Sequence, residues 1–109
     1  SRKRIMARKI TEDACKAFHN GYDFKKSNTE IGRYYESGSD DFGWCMWLHN
    51  NGIAKRMDGK LYIRSAGWRT LTTKERLNGI SGVNVYQSNF DWYLNGELWE
   101  NDSEWTEVK

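Results

Sequence analysis

Hydrophobic residues recur at helical spacing near the start of the chain. Ala14, Ala17 and Phe18 lie at positions i, i+3 and i+4 and would form one apolar face of a helix. Thr11 is a suitable N-cap, because its hydroxyl can accept a hydrogen bond from a backbone N–H of the first turn. Gly21 can adopt the left-handed conformation that ends many helices. The pattern therefore predicts a helix that begins at Thr11 and ends at Gly21.

Farther along the chain, the hydrophobic pattern changes to the alternation that is typical of strands. Residues 58–59 are Asp-Gly between two such runs, and they predict a two-residue hairpin turn. For the preceding hairpin we predict a three-residue loop over residues 50–52, with Gly52 left-handed and Leu48 opposite Ala54. A two-residue loop there would place Leu48 beside a lysine and disrupt the apolar face.

These two turns assign the side chains of the meander to opposite faces of the sheet. The predicted inner face consists of Met46, Leu48, Ala54, Leu61 and Ile63. The predicted outer face combines rings and cations, namely Trp47, His49, Lys55, Tyr62 and Arg64. Rings stack on bases and cations contact phosphates, so this face is a candidate site for single-stranded nucleic acid. The alternative is that the first helix or a later hairpin covers the same face.

The segment GWRTLTTKERLNGI, residues 67–80, predicts a second and much shorter helix. Thr72 and Glu75 have the spacing of a capping box, in which each side chain bonds to the backbone N–H of the other residue. A helix of two turns is unstable alone and must be held by packing. The residues that we expect to pack against the core are Trp68, Leu71, Leu77 and Ile80.

The start of the same helix offers an alternative, which is an anion site. Free N–H groups, hydroxyls and cations would converge there, and the candidate residues are Arg69, Thr72, Thr73 and Lys74. The capping box uses the same backbone donors, so we favour the structural interpretation of this segment.

A third hairpin turn is predicted at Asn95-Gly96, and it pairs Trp92 with Trp99 across the strands. The last segment is expected to add an edge strand. Together the elements predict an α+β fold. It has an N-terminal helix, a mainly antiparallel sheet of hairpins with about five to six strands, and a short second helix. We divide the chain into a basic and mobile arm over residues 1–9 and a single domain over residues 10–109.

The composition and the distribution of charge refine this picture. Rings make up 15% of the 109 residues, so a few bulky side chains can build the core. The net charge is only +2, but the first ten residues carry five basic and no acidic side chains. The segment 53–76 is also basic, whereas the segment from residue 90 onward is acidic. No apolar run approaches the roughly 20 residues of a membrane span, so no membrane partner is expected.

No motif in the sequence indicates a particular enzymatic reaction. Cys15 and Cys45 are expected to be buried free thiols, and their spacing to His19 and His49 does not match a zinc site. The acidic pair at residues 40–41 lies in a Gly/Ser loop, where carboxylates are usually solvated. Glycine-rich phosphate loops are missing. We therefore expect a protein that is not an enzyme and that needs no metal or cofactor.

Three blocks of sequence, WLHNNGIAKR, LYIRSAGWRTLTTKERLNGISGVNV and WYLNGELW, resemble a family of small uncharacterised proteins of tailed bacteriophages. The likeness covers roughly residues 7–108. It implies a viral accessory protein made in the host bacterial cytoplasm, and it suggests Met6 as a natural start that leaves residues 1–5 as an extension. The leading hypothesis is weak binding of nucleic acid through the basic segments. The alternative is a modulator that binds a host defence or transcription enzyme through its rings.

Overall fold

The computed structural model describes residues 2–109 and confirms the α+β class. The helices are α1 (Arg2–Asn20) and α2 (Leu71–Asn78). The strands are β1 (Phe24–Lys26), β2 (Thr29–Tyr35), β3 (Phe42–Leu48), β4 (Asn51–Met57), β5 (Lys60–Ile63), β6 (Val85–Ser88), β7 (Asp91–Leu94), β8 (Glu97–Leu98) and β9 (Thr106–Val108).

The nine strands of the described chain form two antiparallel sheets, whereas the sequence predicted one. The larger sheet has the order β1-β2-β3-β4-β5-β9, and the smaller has the order β6-β7-β8. α1 packs on β1, β2 and β3, while α2 contacts β4 and β6. The smaller sheet contributes Trp92 and Trp99 to the same core as α1 and the larger sheet. Because these indoles turn inward, the last hairpin packs on the core and does not extend the larger sheet.

α1 begins at Arg2, so the predicted start at Thr11 is wrong. Neither glycine nor proline interrupts residues 2–20, and the helix continues through the segment that we expected to be a mobile arm. Thr11 lies in the middle of the helix and is buried. The end of α1 is confirmed, since Gly21 has a φ of +79° and its N–H donates to Ala17 O at 2.8 Å.

Two hairpin turns have the predicted form. At Asp58-Gly59, φ is +53° and +75°, and the pairing of Lys55 with Tyr62 follows. At Asn95-Gly96, φ is +50° and +88°. Beyond that turn Trp99 N donates to Trp92 O at 2.8 Å, and the two rings lie 6.2 Å apart between centroids. The predicted edge strand is β9, which pairs with β5.

The predicted loop between β3 and β4 is wrong. The turn is the two-residue step His49-Asn50, with φ of +49° and +68°, and Gly52 lies in strand β4 without a left-handed φ. The extra residue is Ile53, which forms a bulge between the paired positions of β4. The bulge brings Ala54 opposite Met46, so the alternation is restored and the predicted inner face is kept.

The capping box predicted for α2 is also wrong. Thr70 is the N-cap, and its hydroxyl accepts from Thr73 N at 3.1 Å. Leu71, expected in the core, is 81% exposed, and Trp68 is 58% exposed. Leu71 lies six residues from the buried Leu77, about 240° around the helix, so both cannot face the core. Trp68 precedes the N-cap and lies in the loop. The predicted burial of Leu77 and Ile80 is confirmed.

A buried arginine of α2 connects four separate positions of the chain. Arg76 is 2% exposed, and its Nε donates to Thr29 Oγ1 at 2.9 Å. Its Nη1 donates to Thr11 Oγ1 at 2.7 Å and to Ala7 O at 3.1 Å, and its Nη2 donates to Asn28 Oδ1 at 3.2 Å. All four acceptors are neutral, and burial lowers the pKa of the Arg76 guanidinium. The side chain therefore joins α2 to α1 and to the β1–β2 turn.

Asp102 holds the segment between β5 and α2. Ser65 Oγ donates to Asp102 Oδ2, Arg69 Nε donates to Asp102 Oδ1 at 3.0 Å, and Ser65 N donates to Asp102 O at 2.6 Å. Burial alone would raise the pKa of Asp102. The hydrogen bonds from Arg69 and Ser65 and the charge of Arg69 outweigh it, so the pKa lies below its ordinary value.

We expect Arg76→Ala to lower the free energy of unfolding by about 3 kcal/mol, since four hydrogen bonds and the buried packing are lost. Arg76→Lys should also destabilise, because an ammonium group cannot reproduce the planar fork. Lys74→Ala on the same helix is the control and should cost less than about 0.5 kcal/mol. Urea denaturation followed by tryptophan fluorescence measures all three. Equal midpoints for Arg76→Ala and Lys74→Ala would contradict the joining role of Arg76.

For Asp102→Asn we expect a loss of about 2 kcal/mol of unfolding free energy at neutral pH, because the charged acceptor is removed. The folded pKa is lowered, so the stabilisation is complete above the ordinary pKa of 3.8 and is lost as the pH falls through the folded value. The difference between the wild type and Asp102→Asn should therefore shrink below pH 3.8. Denaturation at several pH values measures this, with the exposed Glu104→Gln as control. A difference in stability that stays constant with pH would show that the ionised carboxylate of Asp102 is not the source of the stabilisation.

Candidate nucleic-acid interface

The larger sheet has one face under the helices and an opposite face that we call the outer face. Ile31, Met46, Ala54 and Ile63 point inward and are at most 1% exposed. Side chains of the alternate positions point the other way. They belong to the outer face, and within residues 2–109 they remain partly exposed at Tyr34, Trp47, Lys55, Tyr62 and Trp105.

The structure brings together four of the five residues predicted for this site. Trp47, Lys55, Tyr62 and Arg64 lie on the outer face, and neither α1 nor α2 covers them. His49 lies apart from them, exposed in the β3–β4 turn at one end of the face. The predicted pairing of Trp47 with Lys55 is replaced by Trp47 with Gly52, and the bulge at Ile53 keeps Lys55 on the same face as Trp47.

Lys55 lies at the centre of a cluster of rings. Its Nζ is 4.9 Å from the ring centroid of Tyr34, 5.4 Å from that of Tyr62 and 4.6 Å from that of Trp105. Glu36 Oε1 is 3.6 Å from the same nitrogen, and the Lys55 side chain is only 12% exposed. The ammonium group is therefore already balanced by ring faces and a carboxylate, and it fixes the positions of the rings.

Two indoles of the outer face lie against glycines of the sheet. A Cβ at Gly32 would be 3.3 Å from Trp47 Cζ3, and a Cβ at Gly52 would be 3.6 Å from Trp105 Cη2. The missing side chains let each indole lie directly on a strand. The guanidinium of Arg64 is 4.1 Å from the Trp105 ring centroid, and its Nε donates to Gly52 O at 2.8 Å. The rings are thus held in place by backbone and cations.

Sequence reasoning missed Tyr34 and Trp105. The signal for Tyr34 was present, since alternation from the inward Ile31 assigns Tyr34 to the outer face. Trp105 lies in the segment predicted as an edge strand, but the neighbour of that strand could not be assigned from local sequence. The face of the sheet on which Trp105 lies was therefore unknown.

Two concavities of the outer face each combine a ring with a lysine, one on the edge strand β1 and one at the start of β5. One, of about 160 Å³, is lined by Trp47, His49 and Lys25 among other residues. The other, of about 450 Å³, is lined by Tyr62, Trp105 and Lys60 among others. Acids also occur on this face, at Glu30, Glu36 and Glu107. The face is therefore rich in rings and only slightly basic.

The threonines of the predicted anion site are mainly structural. Thr73 is fully buried, and its hydroxyl lies 3.0 Å from that of the cap residue Thr70. Its backbone N–H is used by the same cap. Thr72 is half-buried and lines a cleft beside the helix start. Of the two threonines, Thr72 is therefore the more accessible to a ligand at this end of α2.

The two cations of the predicted anion site are engaged by other partners. Arg69 forms its ion pair with Asp102. Lys74 Nζ donates to Gln87 Oε1 at 3.4 Å. Both cations face the ring of Trp92, at 5.8 Å and 5.7 Å from its centroid. Among the described residues, the four candidates do not converge on one open basic pocket.

Both cysteines are buried free thiols. Burial raises the pKa of Cys15 to about 11 and that of Cys45 to about 12, so both are protonated at neutral pH. His19 has a lowered pKa, because burial and the nearby Arg56 disfavour its charged form. No group of three His, Cys, Asp or Glu side chains that could hold a metal ion occurs within residues 2–109. No helix in the same range is long and apolar enough to cross a membrane.

Residues 7–108 match the family model described as Kyanoviridae Gp96 protein. No curated protein and no solved structure matches the chain. The matched range agrees with the predicted resemblance to small tailed-phage proteins, which is confirmed. Since the match covers almost the whole chain, the protein belongs to the Kyanoviridae Gp96 family of phage proteins.

Proposed function

We propose that this phage protein is a non-enzymatic accessory protein of the infected host cytoplasm that binds single-stranded nucleic acid weakly on the outer face of its larger sheet. The observation that carries the proposal is the placement of Trp47 and Trp105 directly against strand glycines, with Tyr62 nearby. Such rings are fixed before a ligand arrives, so little conformational freedom is lost on binding.

Base stacking supplies most of the affinity in this proposal. Each base that stacks on an aromatic side chain contributes about 1–3 kcal/mol, and every base has a π-face. The indole of Trp47 lies against Gly32 of β2 and the indole of Trp105 lies against Gly52 of β4, and β3 separates these two strands. A single strand of nucleic acid that crosses the sheet would place different bases on the two rings. The expected recognition is tolerant of base sequence.

The phosphate contacts come from the edges of the face. Lys25 and Lys60 are exposed and lie beside the two concavities. Lys55, which we predicted as a phosphate contact, is enclosed by rings and paired with Glu36, so we assign it to ring positioning. Few free cations mean few released counterions, and we expect weak binding with a shallow dependence on salt.

We expect Trp47→Ala to weaken the binding of a labelled short single strand by about 1–3 kcal/mol, because one stacking surface is lost. Phe90→Ala is the matched control, since Phe90 is an 86% exposed ring in the β6–β7 turn, away from the larger sheet. Fluorescence anisotropy at low salt measures both variants. The proposal fails if the wild type shows no binding at tens of micromolar, roughly the weak end of non-specific affinity, or if the two variants bind alike.

We expect Lys60→Gln to reduce the slope of log Kobs against log salt by about 0.7, the contribution of one phosphate contact to a single strand. Lys55→Gln should instead weaken binding without a comparable change of slope, because Lys55 positions the rings. A salt titration of each variant measures the slopes. A larger change of slope for Lys55→Gln than for Lys60→Gln would reverse the two roles.

A second candidate function is the binding of a host protein, such as a defence or transcription enzyme. It is favoured by a pair of exposed rings at the open end of the inner face. Tyr35 and Phe42 are 54% and 45% exposed, their centroids are 5.8 Å apart, and Arg33 lies 4.7 Å from the Phe42 centroid. Exposed rings with arginine are typical of protein interaction hot spots. The test is capture of a host protein from a lysate. Capture that persists after nuclease treatment and is lost with Phe42→Ala would favour this function over nucleic-acid binding.

A further inference from the structure

A cleft of about 250 Å³ lies between the β3–β4 turn and the start of α2. Its floor consists of Leu48 and Ile53, which are 4% and 1% exposed, and Trp68 forms part of its lining at the surface. The complete lining is Leu48, His49, Asn51, Ile53, Ser65, Trp68, Thr70, Thr72 and Thr73. The bulge at Ile53 helps to create the floor, because it places two successive residues of β4 against buried surroundings.

The loop that carries Trp68 is held in an uncommon conformation. Ala66 and Gly67 have φ of +56° and +86°, and the left-handed region is unfavourable for alanine by roughly 1 kcal/mol. Ser65 Oγ accepts from Gly67 N at 3.1 Å and donates to the buried Asp102. This network maintains the strain, yet the indole that it presents is 58% exposed. Core packing therefore does not explain the loop, and strain of this kind is frequent at binding sites.

The lining of the cleft selects a class of ligand. It contains no Asp, Glu, Lys or Arg, so its polar groups are hydroxyls, one side-chain amide, the indole N–H of Trp68 and the imidazole of His49. Within residues 2–109, the side chains of Trp68, Thr72 and His49 make no hydrogen bond to the protein. Asn51 Nδ2 donates to His49 O at 3.2 Å, which leaves its side-chain oxygen available. A small, flat, neutral ligand with donors and acceptors at its edge fits these groups.

We infer that this cleft binds one unstacked nucleobase, with Trp68 as the stacking surface and Thr72 and Asn51 as polar contacts at its edge. The volume is below the range of about 300 Å³ and more that is usual for drug-sized ligands, and it suits a single ring system.

The base has two chemical sources, a free nucleoside or one residue of a single strand. The second source deepens the proposed function and rests on it. His49 lines both the cleft and the concavity beside Trp47, so a strand on the outer face can direct its next base into the cleft.

The test uses the full chain labelled for NMR, with adenosine and uridine as free ligands and a short single-stranded oligonucleotide as the second ligand. The expected result is that both nucleosides shift the indole N–H resonance of Trp68 and the amide resonances of Thr70 and Thr72. Trp68→Ala should remove the amide shifts and weaken oligonucleotide binding by about tenfold. Thr72→Phe, which fills the cleft, should also abolish nucleoside binding, whereas Phe90→Ala should leave it unchanged.

The outcomes separate this inference from the proposed function. Unshifted cleft resonances with each nucleoside, together with wild-type oligonucleotide affinity in Trp68→Ala, would overturn the cleft site and leave the outer face to be judged on Trp47→Ala. Nucleoside shifts in a protein that binds no oligonucleotide would support the cleft with a free nucleoside and end the proposed function. Loss of oligonucleotide affinity in Trp68→Ala without nucleoside shifts would support a base presented by a strand.

Discussion

The buried guanidinium of Arg76 is the constraint on which the arrangement of the protein depends. A buried charge without a carboxylate partner is stable only if its donors meet well-placed acceptors. Its acceptors come from the middle of α1 and from the β1–β2 turn. The two helices must therefore approach closely, and at Gly79 a Cβ would collide with Thr11 Cγ2 and Cys15 Sγ. This glycine has an ordinary helical φ of −77°, so close packing, not a left-handed turn, requires it.

Because the Arg76 network holds both helices on the inner side of the larger sheet, no helix of residues 2–109 packs on the outer face. The side chains of the sheet itself shield the strands there. Large side chains lie down over the strands, and the cations between them are enclosed by ring faces. The same packing that shields the backbone also presents indoles in fixed positions. Stability and a candidate stacking surface thus arise from one arrangement, and Lys55 illustrates the connection, because a residue expected to contact phosphate contacts three rings instead.

The sequence predicts the parts of this fold that local chemistry decides. The turns at Asp58-Gly59 and Asn95-Gly96, the Trp92–Trp99 pair and the alternation of faces follow from neighbouring residues. The β3–β4 turn does not, since a loop and a bulge accommodate the same extra residue, and the structure chooses the bulge by leaving Ile53 unpaired with β3. The Arg76 network and the Asp102 network join positions far apart in sequence, so patterns among neighbouring residues do not predict them.

The C-terminal segment closes structures that precede it in the chain. Asp102 holds the Ser65–Arg69 loop, Trp105 rests on Gly52, and β9 completes the sheet beside β5. Each of these elements is synthesised after everything that it contacts. The helices and the hairpins from β1 to β5 can therefore assemble on a ribosome before the ring cluster and the Trp68 loop reach their final form. The ring cluster around Trp105 and the Trp68 loop are the last to mature, and a chain interrupted before residue 102 would keep most of its core but would lack the contacts that complete both.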